Sequence, residues 1–496
     1  MPTARVQAQP ESRRNDTPHI VILGAGPAGA GAAYQLRRTA RARVTLLEQR
    51  DAVGGNAGSF EWAGQRLDYG SHRLHPACHP EILADIRALL GKDLLDRPRH
   101  GRIQLRGRWI HFPLKPLDLL LRLDPGFAAG TLRDVAARTL RDVAARTLPR
   151  PRQTAAPDTF ASILLGNLGR TICRDFYFPY ARKIWGREPE ELSGIQARRR
   201  VSAGSFAKLL RKVLSAVPGL RPAGGGRFYY PRHGYGQITE AYAEAARTAG
   251  AQLLLGWTVA GLEQADGGWT VTARNSAGEC RSIAADQVWS TLPVSLLARM
   301  VTPPAPAEVL RAAARLEYRA MLLVYLALDC ERFTEYDAHY FPGQDVAITR
   351  LSEPRNYAAL AESRGRTVLC AELPCSPEER WWSLSDAELG QVVADDLARA
   401  GLPLARPPVG VLVRRLRHAY PIYLNGYESA FRTLDAWAES LPGLLTYGRQ
   451  GLFAHDNTHH ALLMAYRAAD CLSGGSWDGA RWREYRREFE THVVED

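Results

Sequence analysis

The sequence predicts an α/β fold in which a parallel-sheet domain is interleaved with a mixed α+β domain. Short apolar runs at 19–23 and 43–48 flank a helix of small residues at 30–38, which is the pattern of a β-α-β unit with buried parallel strands. A strand-rich block at 251–293 predicts a β-meander. A final apolar region at 445–472 extends the first domain, so two long inserts divide that domain along the chain.

The size and charge of the chain limit the classes of protein to consider. Its 496 residues suffice for two domains, and 46% hydrophobic with 23% charged residues is an ordinary globular balance. The net charge of +12 favours an anionic small molecule as ligand and leaves a peripheral contact with an anionic membrane surface open. No basic segment is interleaved with aromatic residues, which argues against nucleic-acid binding. No apolar stretch approaches the ~20 residues of a membrane-spanning helix. These features do not specify an oligomeric state.

The cysteine and histidine patterns argue against a structural metal. The 7 cysteines are scattered without a Cys-x-x-Cys pair, so we predict neither disulfides nor a zinc site, and we expect a reducing, cytoplasmic setting. His72, His75 and His79 have the spacing of one helical face, but Pro76 and Pro80 interrupt that helix. We therefore predict no metal site.

Gly24, Gly26 and Gly29 form a G-x-G-x-x-G motif between the first strand and the first helix. In this position the first glycine permits the tight turn, the second lets the backbone approach a diphosphate, and the third lets helix and strand pack closely. The diphosphate then lies at the helix N-terminus. Glu48 ends the second strand about 20 residues later, where a carboxylate binds ribose hydroxyls and disfavours a 2′-phosphate. The motif therefore predicts an adenine dinucleotide other than NADP.

A second glycine pair follows the ribose carboxylate. Gly54 and Gly55 precede Asn56, and a further polar turn follows at 70–72. Such a pair lets the backbone pass close to a ligand that continues beyond the diphosphate, as the flavin of FAD does. With these motifs, the segment 19–76 resembles the FAD-binding start of the flavin amine oxidase, protoporphyrinogen oxidase and UDP-galactopyranose mutase superfamily.

The same resemblance continues through 183–186 and 230–236 to Gly448-Arg449 and the segment 457–461, which opens an apolar helix. It implies FAD as the cofactor, bound tightly and without a covalent link. Motif and resemblance together predict the cofactor contacts Gly24, Gly26, Pro27, Ala28, Gly29, Glu48, Gln49, Arg50, Gly54, Gly55, Asn56, Gly70, Ser71, His72, Val259, Thr291, Gly448, Arg449, Asn457, His459, His460 and Ala461.

The motif positions also divide the chain into domains. We expect a Rossmann-like FAD-binding domain with a β-meander and a mixed α+β substrate domain, with the flavin at the seam between them. The predicted segments are a flexible tail at 1–17, FAD-binding parts at 18–100, 228–300 and 411–475, substrate-domain parts at 101–227 (mainly helical) and 301–410, and a C-terminal tail at 476–496.

Three side chains are candidates for chemistry at the flavin. His72 could donate a hydrogen bond or carry a proton, or be a histidine packed at the domain seam. Lys183 stands out because lysine is rare in this chain, and its alternative role is an interdomain ion pair. His459 begins the last apolar helix, where it could face the flavin or cap the helix.

The resemblance implies an FAD-dependent oxidoreductase. It would oxidise a C–N or C–C bond of an organic small molecule by hydride transfer to flavin N5. The segment Gly54-Gly55-Asn56-Ala57 resembles the sugar mutase instead, which leaves a redox-neutral, flavin-dependent nucleotide-sugar mutase as the alternative. Related proteins without flavin are a third possibility, which the intact glycine motifs and Glu48 disfavour.

Overall fold

The fold is described from a computed structural model of the chain. The structure describes residues 17–113, 121–147, 158–200, 226–265, 267–358 and 365–494. The tail expected at 1–17 therefore lies, except for its last residue, outside the described residues.

The 22 strands of the described residues form three sheets and three two-stranded ribbons. In chain order they are β1 (His19–Leu23), β2 (Arg43–Glu48), β3 (Ser59–Trp62), β4 (Gln65–Asp68), β5 (Leu94–Pro98), β6 (Gly101–Leu105), β7 (Arg108–Phe112), β8 (Arg227–Pro231), β9 (Gln252–Leu255), β10 (Trp257–Ala265), β11 (Gly268–Asn275), β12 (Cys280–Ala285), β13 (Gln287–Ser290), β14 (Val301–Thr302), β15 (Glu317–Leu328), β16 (Ala338–Tyr340), β17 (Arg350–Ser352), β18 (Thr367–Cys375), β19 (Gly410–Ile422), β20 (Leu444–Thr446), β21 (Leu472–Ser473) and β22 (Ser476–Trp477).

The α-helices of the described residues are interspersed with these strands, and the last of them follows β22. In chain order they are α1 (Pro27–Arg38), α2 (Pro80–Leu90), α3 (Pro125–Thr147), α4 (Phe160–Leu168), α5 (Arg170–Ile172), α6 (Phe178–Trp185), α7 (Gly194–Arg200), α8 (Gln237–Thr248), α9 (Val294–Leu297), α10 (Ala307–Arg315), α11 (Arg355–Ala358), α12 (Asp386–Arg399), α13 (Tyr427–Glu439), α14 (Gly448–Gly451), α15 (Thr458–Asp470) and α16 (Gly479–Phe489).

A parallel sheet in the order β20-β13-β1-β2-β9 forms the centre of the first layer. The apolar run of β1 is buried on both faces: Ile20 and Ile22 pack with α1 and α15, while Val21 and Leu23 pack under the neighbouring meander. The meander is the antiparallel ribbon β12-β11-β10, which β14 extends. The α/β fold class with its parallel sheet and β-meander is thus confirmed.

A seven-stranded sheet forms the second layer, in the order β19-β15-β18-β17-β16-β6-β7. Its long interior strand β15 is almost entirely buried and pairs with β18 and β19. Strand β19 belongs to this sheet because it hydrogen-bonds to β15, although the sequence predicts that the segment 411–475 is part of the FAD-binding domain. The helices α4 to α7 pack beside this sheet around a core that includes Phe160, Trp185 and Ile422.

The last described residues fold against the first layer. The segment 476–496, predicted as a tail, contains β22 and the helix α16 instead. Trp482 and Phe489 of α16 are buried in the core beside α15, and this burial is what holds the helix in place.

No helix of the described segments is long and apolar enough to cross a membrane. All seven cysteines are free thiols.

Candidate active site and cofactor cavity

A cavity of about 770 Å³ runs from the glycine turn after β1 to the seven-stranded sheet and the helices α6 and α7. Sixteen of the predicted cofactor contacts share its wall. They are Gly24, Gly26, Pro27, Ala28, Glu48, Gln49, Arg50, Gly55, Asn56, Ser71, His72, Val259, Thr291, Arg449, Asn457 and Ala461. Gly29, Gly54, Gly448, His459 and His460 do not line this cavity, and Gly70 lines a small second cavity that shares Asn56, Ser71 and His72 with it.

The glycine turn has the geometry that its sequence predicts. Gly24 has a positive φ of +93°, and the amide of Ala30 donates to the carbonyl of Gly26 at 2.9 Å as α1 begins. A Cβ added at Gly29 would lie 1.9 Å from the carbonyl oxygen of Gly24. Gly29 therefore acts from behind the cavity, because it lets α1 start directly against the turn.

Glu48 is buried at the end of β2 and lines the cavity. Its two carboxylate oxygens accept the amides of Ala25 at 2.9 Å and Arg50 at 3.0 Å. These two bonds hold the carboxylate beside the first turn, where it can accept hydrogen bonds from ribose hydroxyls.

We expect Glu48→Ala to weaken FAD binding by roughly 10- to 100-fold, because hydrogen bonds to a charged acceptor contribute about 1.5–3 kcal/mol. Fluorescence titration of the apoprotein with FAD measures this change. Glu61→Ala, at an exposed glutamate of β3, serves as the control and should leave the affinity unchanged. Equal affinities of the two variants would contradict the ribose role.

The second glycine turn lies directly on the first. The amide of Gly54 donates to the carbonyl of Ala25 at 2.9 Å, and φ is +118° at Gly54 and +54° at Gly55. A Cβ added at Gly55 would lie 3.3 Å from the Cα of Gly26. The two turns therefore form a cradle of bare backbone, which is the shape that a dinucleotide continuing past its diphosphate requires.

The N-terminus of α15 closes another side of the cavity through Asn457, Thr458 and Ala461. His460 is the third residue of this helix, and its Nδ1 accepts the amide of Asn457 at 3.2 Å in a capping box. His459 is buried, and burial together with the neighbouring His460 lowers its pKa to about 3. The structure thus makes His460 a capping residue and places the neutral imidazole of His459 outside the cavity.

His72 is the one predicted catalytic residue that lines the cavity. Its ring stacks on Tyr235 at a centroid distance of 5.2 Å, and its Nε2 lies 2.9 Å from the carbonyl oxygen of Tyr69. Because a carbonyl only accepts, Nε2 carries the proton and Nδ1 keeps a lone pair. Burial lowers the pKa of His72, so the imidazole is neutral near pH 7.

Lys183, predicted as an active-site lysine, is not among the residues that line the cavity. Its Nζ donates to three carbonyl oxygens, of Phe341 at 2.6 Å, Ile348 at 2.7 Å and Gly343 at 2.8 Å. Burial lowers the pKa of Lys183 to about 7. The lysine thus ties α6 to the loop between β16 and β17.

On two helices, the residues that line the cavity differ from their neighbours in the helix face on which they lie. On α15 the cavity meets positions 457, 458 and 461, and on the segment ending with α6 it meets 177, 180, 181, 184 and 185. These positions repeat at the three- and four-residue spacing of one helix face. His459, His460 and Lys183 fall off those faces.

Most of the cavity wall on the substrate side is not predicted by any sequence motif. Arg350 on β17 is held by Glu372 on β18, with 2.7 Å between Arg350 Nη2 and Glu372 Oε1, and both line the cavity. Arg73 is held by Asp337 at 3.0 Å. The further arginines of the wall are Arg99, Arg200, Arg227, Arg415 and Arg417. No local motif marks these residues, since sheet pairing and helix packing bring them together.

A glycine cradle on a parallel sheet, a ribose-binding carboxylate and a cavity continuing into a second sheet define an enzyme that uses a dinucleotide cofactor. The chain belongs to the flavin-containing amine oxidoreductase family, whose model matches residues 28–473. The cofactor of this family is a flavin. The two glycine turns, Glu48 and the cavity that they line fit FAD.

The chain is also similar to individual curated proteins. A phytoene dehydrogenase of Streptomyces griseus is 29% identical over 307 residues, which are 58% of this chain and 57% of that protein. Polyamine oxidase 3 of Oryza sativa subsp. japonica is 39% identical over 82 residues, 16% of this chain and 17% of that protein. The chain thus covers less than two thirds of the length of these relatives.

Two solved structures have the same fold. Reduced UDP-galactopyranose mutase superposes with a TM-score of 0.77 at 22% identity, over 97% of this chain and 98% of that one. Putrescine oxidase bound to putrescine superposes with a TM-score of 0.62 at 18% identity, over 92% and 98%. At these identities the likeness concerns the fold alone. The family match over residues 28–473 confirms the resemblance to this superfamily.

Proposed function

We propose that the enzyme oxidises a C–N or C–C bond of an organic small molecule that carries an anionic group. The observation that carries this proposal is the continuation of the FAD cavity into a wall of arginine and aromatic side chains. FAD, when bound, supplies the two-electron acceptor for hydride transfer. We place the reaction in a reducing cytoplasm, as the free cysteines suggest.

Arg200 is the residue that we assign to the anionic group. Its guanidinium lies 5.0 Å from the ring centroid of Tyr420 and 5.3 Å from that of Trp185, at the cavity wall. It forms no ion pair with a carboxylate of the described residues. Arg449 lies on the same Tyr420 ring at 5.1 Å, and burial lowers its pKa, with Arg200 adding to the effect. Two guanidiniums held beside one ring favour an anion in the cavity.

The remaining wall groups orient the substrate and hold a proton. Phe160, Ile184 and Trp185 exclude water from the substrate side of the cavity. The neutral His72 offers Nδ1 as a proton acceptor, because its Nε2 proton is engaged by the Tyr69 carbonyl. Arg350 stays in place through its ion pair with Glu372.

Anaerobic mixing of the purified holoenzyme with candidate amines, porphyrinogens and polyenes tests the reaction. We expect a substrate with a carboxylate or phosphate to bleach the flavin absorption bands stoichiometrically. Faster bleaching by its uncharged ester would contradict the anionic group. Absence of bleaching by every donor would contradict the oxidation.

Arg200→Ala should raise the KM for the anionic substrate by roughly 10- to 100-fold with a smaller effect on kcat, because it removes a charge-assisted contact of about 1.5–3 kcal/mol. The control is Arg198→Ala two residues away on α7, an exposed arginine that pairs with Asp158. Steady-state kinetics with the acid and its ester measure both variants. An equal rise of KM for acid and ester would place Arg200 outside the anion site.

A redox-neutral nucleotide-sugar mutase is the second candidate. The same arginines suit a nucleotide diphosphate, and Gly54-Gly55-Asn56-Ala57 supports it from the sequence. Chemically prereduced enzyme incubated with UDP-sugars separates the two functions. Sugar isomerisation without net consumption of reductant would support the mutase, and flavin reduction by an organic donor would support the oxidoreductase.

A further inference from the structure

Strand β19 carries a bulge where it passes the cavity. Its register against β15 shifts between positions 416 and 420, so the segment 417–419 lies opposite a single residue of β15. A bulge removes residues from the regular ladder and re-aims their side chains. Arg417 and His418 of this bulge both line the cavity.

The bulge is held by side chains of the layer that forms the glycine cradle. Asn56 Nδ2 donates to the carbonyl of His418 at 3.2 Å, and Gln450 Nε2 donates to the same oxygen at 2.7 Å. Arg449 Nη2 donates to the carbonyl of Ala419 at 2.8 Å. Because three donors fix two adjacent carbonyls, the bulge has one defined position at the edge of the cavity.

Arg417 is exposed at this bulge, and an aromatic ring supports its guanidinium. The guanidinium lies 5.3 Å from the ring centroid of Trp382. Arg415 holds that tryptophan in place, since it donates to the carbonyls of Trp382 at 3.2 Å and Leu384 at 2.5 Å and pairs with Asp386 at 3.4 Å. A guanidinium stacked on a ring keeps its N–H groups available for a planar anion.

The positive charge of Arg417 is not neutralised by a neighbouring side chain. No carboxylate of the described residues forms an ion pair with it, in contrast to Arg415. The adjacent His418 is neutral near pH 7, because burial lowers its pKa and Arg417 adds to the effect. An exposed guanidinium without a counter-ion at a cavity wall favours an anion from solution.

Arg417 and Arg200 mark two separate anion positions on this wall. Arg200 lies on the ring of Tyr420, and Arg417 lies on the ring of Trp382. Arg417 precedes Tyr420 by three residues, and three residues of strand span on the order of 10 Å. One small molecule can therefore reach both arginines.

We propose that Arg417 is a second anion-binding residue of the cavity and that the substrate carries two anionic groups, one at Arg200 and one at Arg417. The substrate class is a small molecule with two carboxylate or phosphate groups separated by a distance on the order of 10 Å. This proposal rests on the function proposed above, because Arg200 supplies the first anion position.

The test compares linear dicarboxylates with monocarboxylates of the same chain length. Adipate, suberate and sebacate, with hexanoate, octanoate and decanoate, are titrated into the holoenzyme by isothermal calorimetry. The variants are Arg417→Ala and Arg417→Lys. The matched control is Arg380→Ala, at an exposed arginine that stacks on Trp381 at 4.2 Å and does not line the cavity. Replacing an exposed arginine should leave folding unchanged.

We expect the holoenzyme to bind the best dicarboxylate about 10-fold more tightly than the monocarboxylate of equal length. Arg417→Ala should lose this preference and keep its affinity for monocarboxylates. Arg417→Lys should keep part of the preference, because it retains the charge without the planar fork. Arg380→Ala should behave like the parent. Equal binding of the two series by the parent, or a preference that persists in Arg417→Ala, would overturn the proposal.

A failure of the oxidation proposed above would give a different result. Flavin reduction is measured separately from binding. An enzyme that no donor reduces, but that prefers dicarboxylates through Arg417, would contradict the oxidation and support the second anion position. Arg200→Ala should weaken the binding of both series, whereas Arg417→Ala should weaken only that of the dicarboxylates.

Discussion

Gly29→Ala should yield a colourless protein whose affinity for FAD is lower by roughly 100-fold, or ~2.7 kcal/mol. The added Cβ would lie 1.9 Å from the carbonyl oxygen of Gly24, a backbone atom that no side-chain rotation can move away. Helix α1 must therefore shift from the turn, and the diphosphate loses the helix N-terminus that binds it. The flavin absorbance of the purified protein and FAD titration of the apoprotein measure the effect.

Gly166→Ala is the matched control for this substitution. Gly166 also lies within a helix, α4, but a Cβ added there meets no atom within 4 Å. Alanine has the higher helix propensity, so this variant should keep its flavin and be as stable as the parent or slightly more stable. A yellow, fully loaded Gly29→Ala protein would show that the turn does not bind the cofactor as described.

Lys183→Met should lower the free energy of unfolding by about 3–5 kcal/mol, seen as a lower denaturation midpoint of the holoenzyme. The substitution removes the ammonium and leaves the buried carbonyls of Phe341, Gly343 and Ile348 without their shared donor. These carbonyls belong to the loop between β16 and β17, so Arg350 at the start of β17 loses part of its support.

Lys92→Met controls for the loss of a lysine, because Lys92 is exposed and its loss should change the midpoint very little. Stability and activity are measured on the same samples. Suppose that Lys183→Met has the same denaturation midpoint as Lys92→Met, but that substrate reduces its flavin much more slowly. Lys183 then acts in catalysis, and the structural role is wrong.

The cofactor half of the site is predictable from the sequence because its parts are local. The turn at 24–29, Glu48 and the turn at 54–56 fall within one β-α-β unit and its extension, where each position has a fixed physical requirement. Val259 and Thr291 lie far along the chain, and the resemblance to a known superfamily is what identifies them.

The substrate half is not predictable in this way. Arg350 and Glu372 become neighbours when β17 pairs with β18, and Arg200 reaches the cavity when α7 packs near β19. Nothing in the local sequence distinguishes these arginines from the many on the surface.

A crystal structure of the purified holoenzyme tests the central claim most directly. We expect FAD in the cavity, with its ribose on Glu48, its diphosphate on the turn at 24–29, and its isoalloxazine between Asn56 and the N-terminus of α15. A nicotinamide dinucleotide in that position, or side chains filling the space between the two glycine turns and α15, would contradict the account.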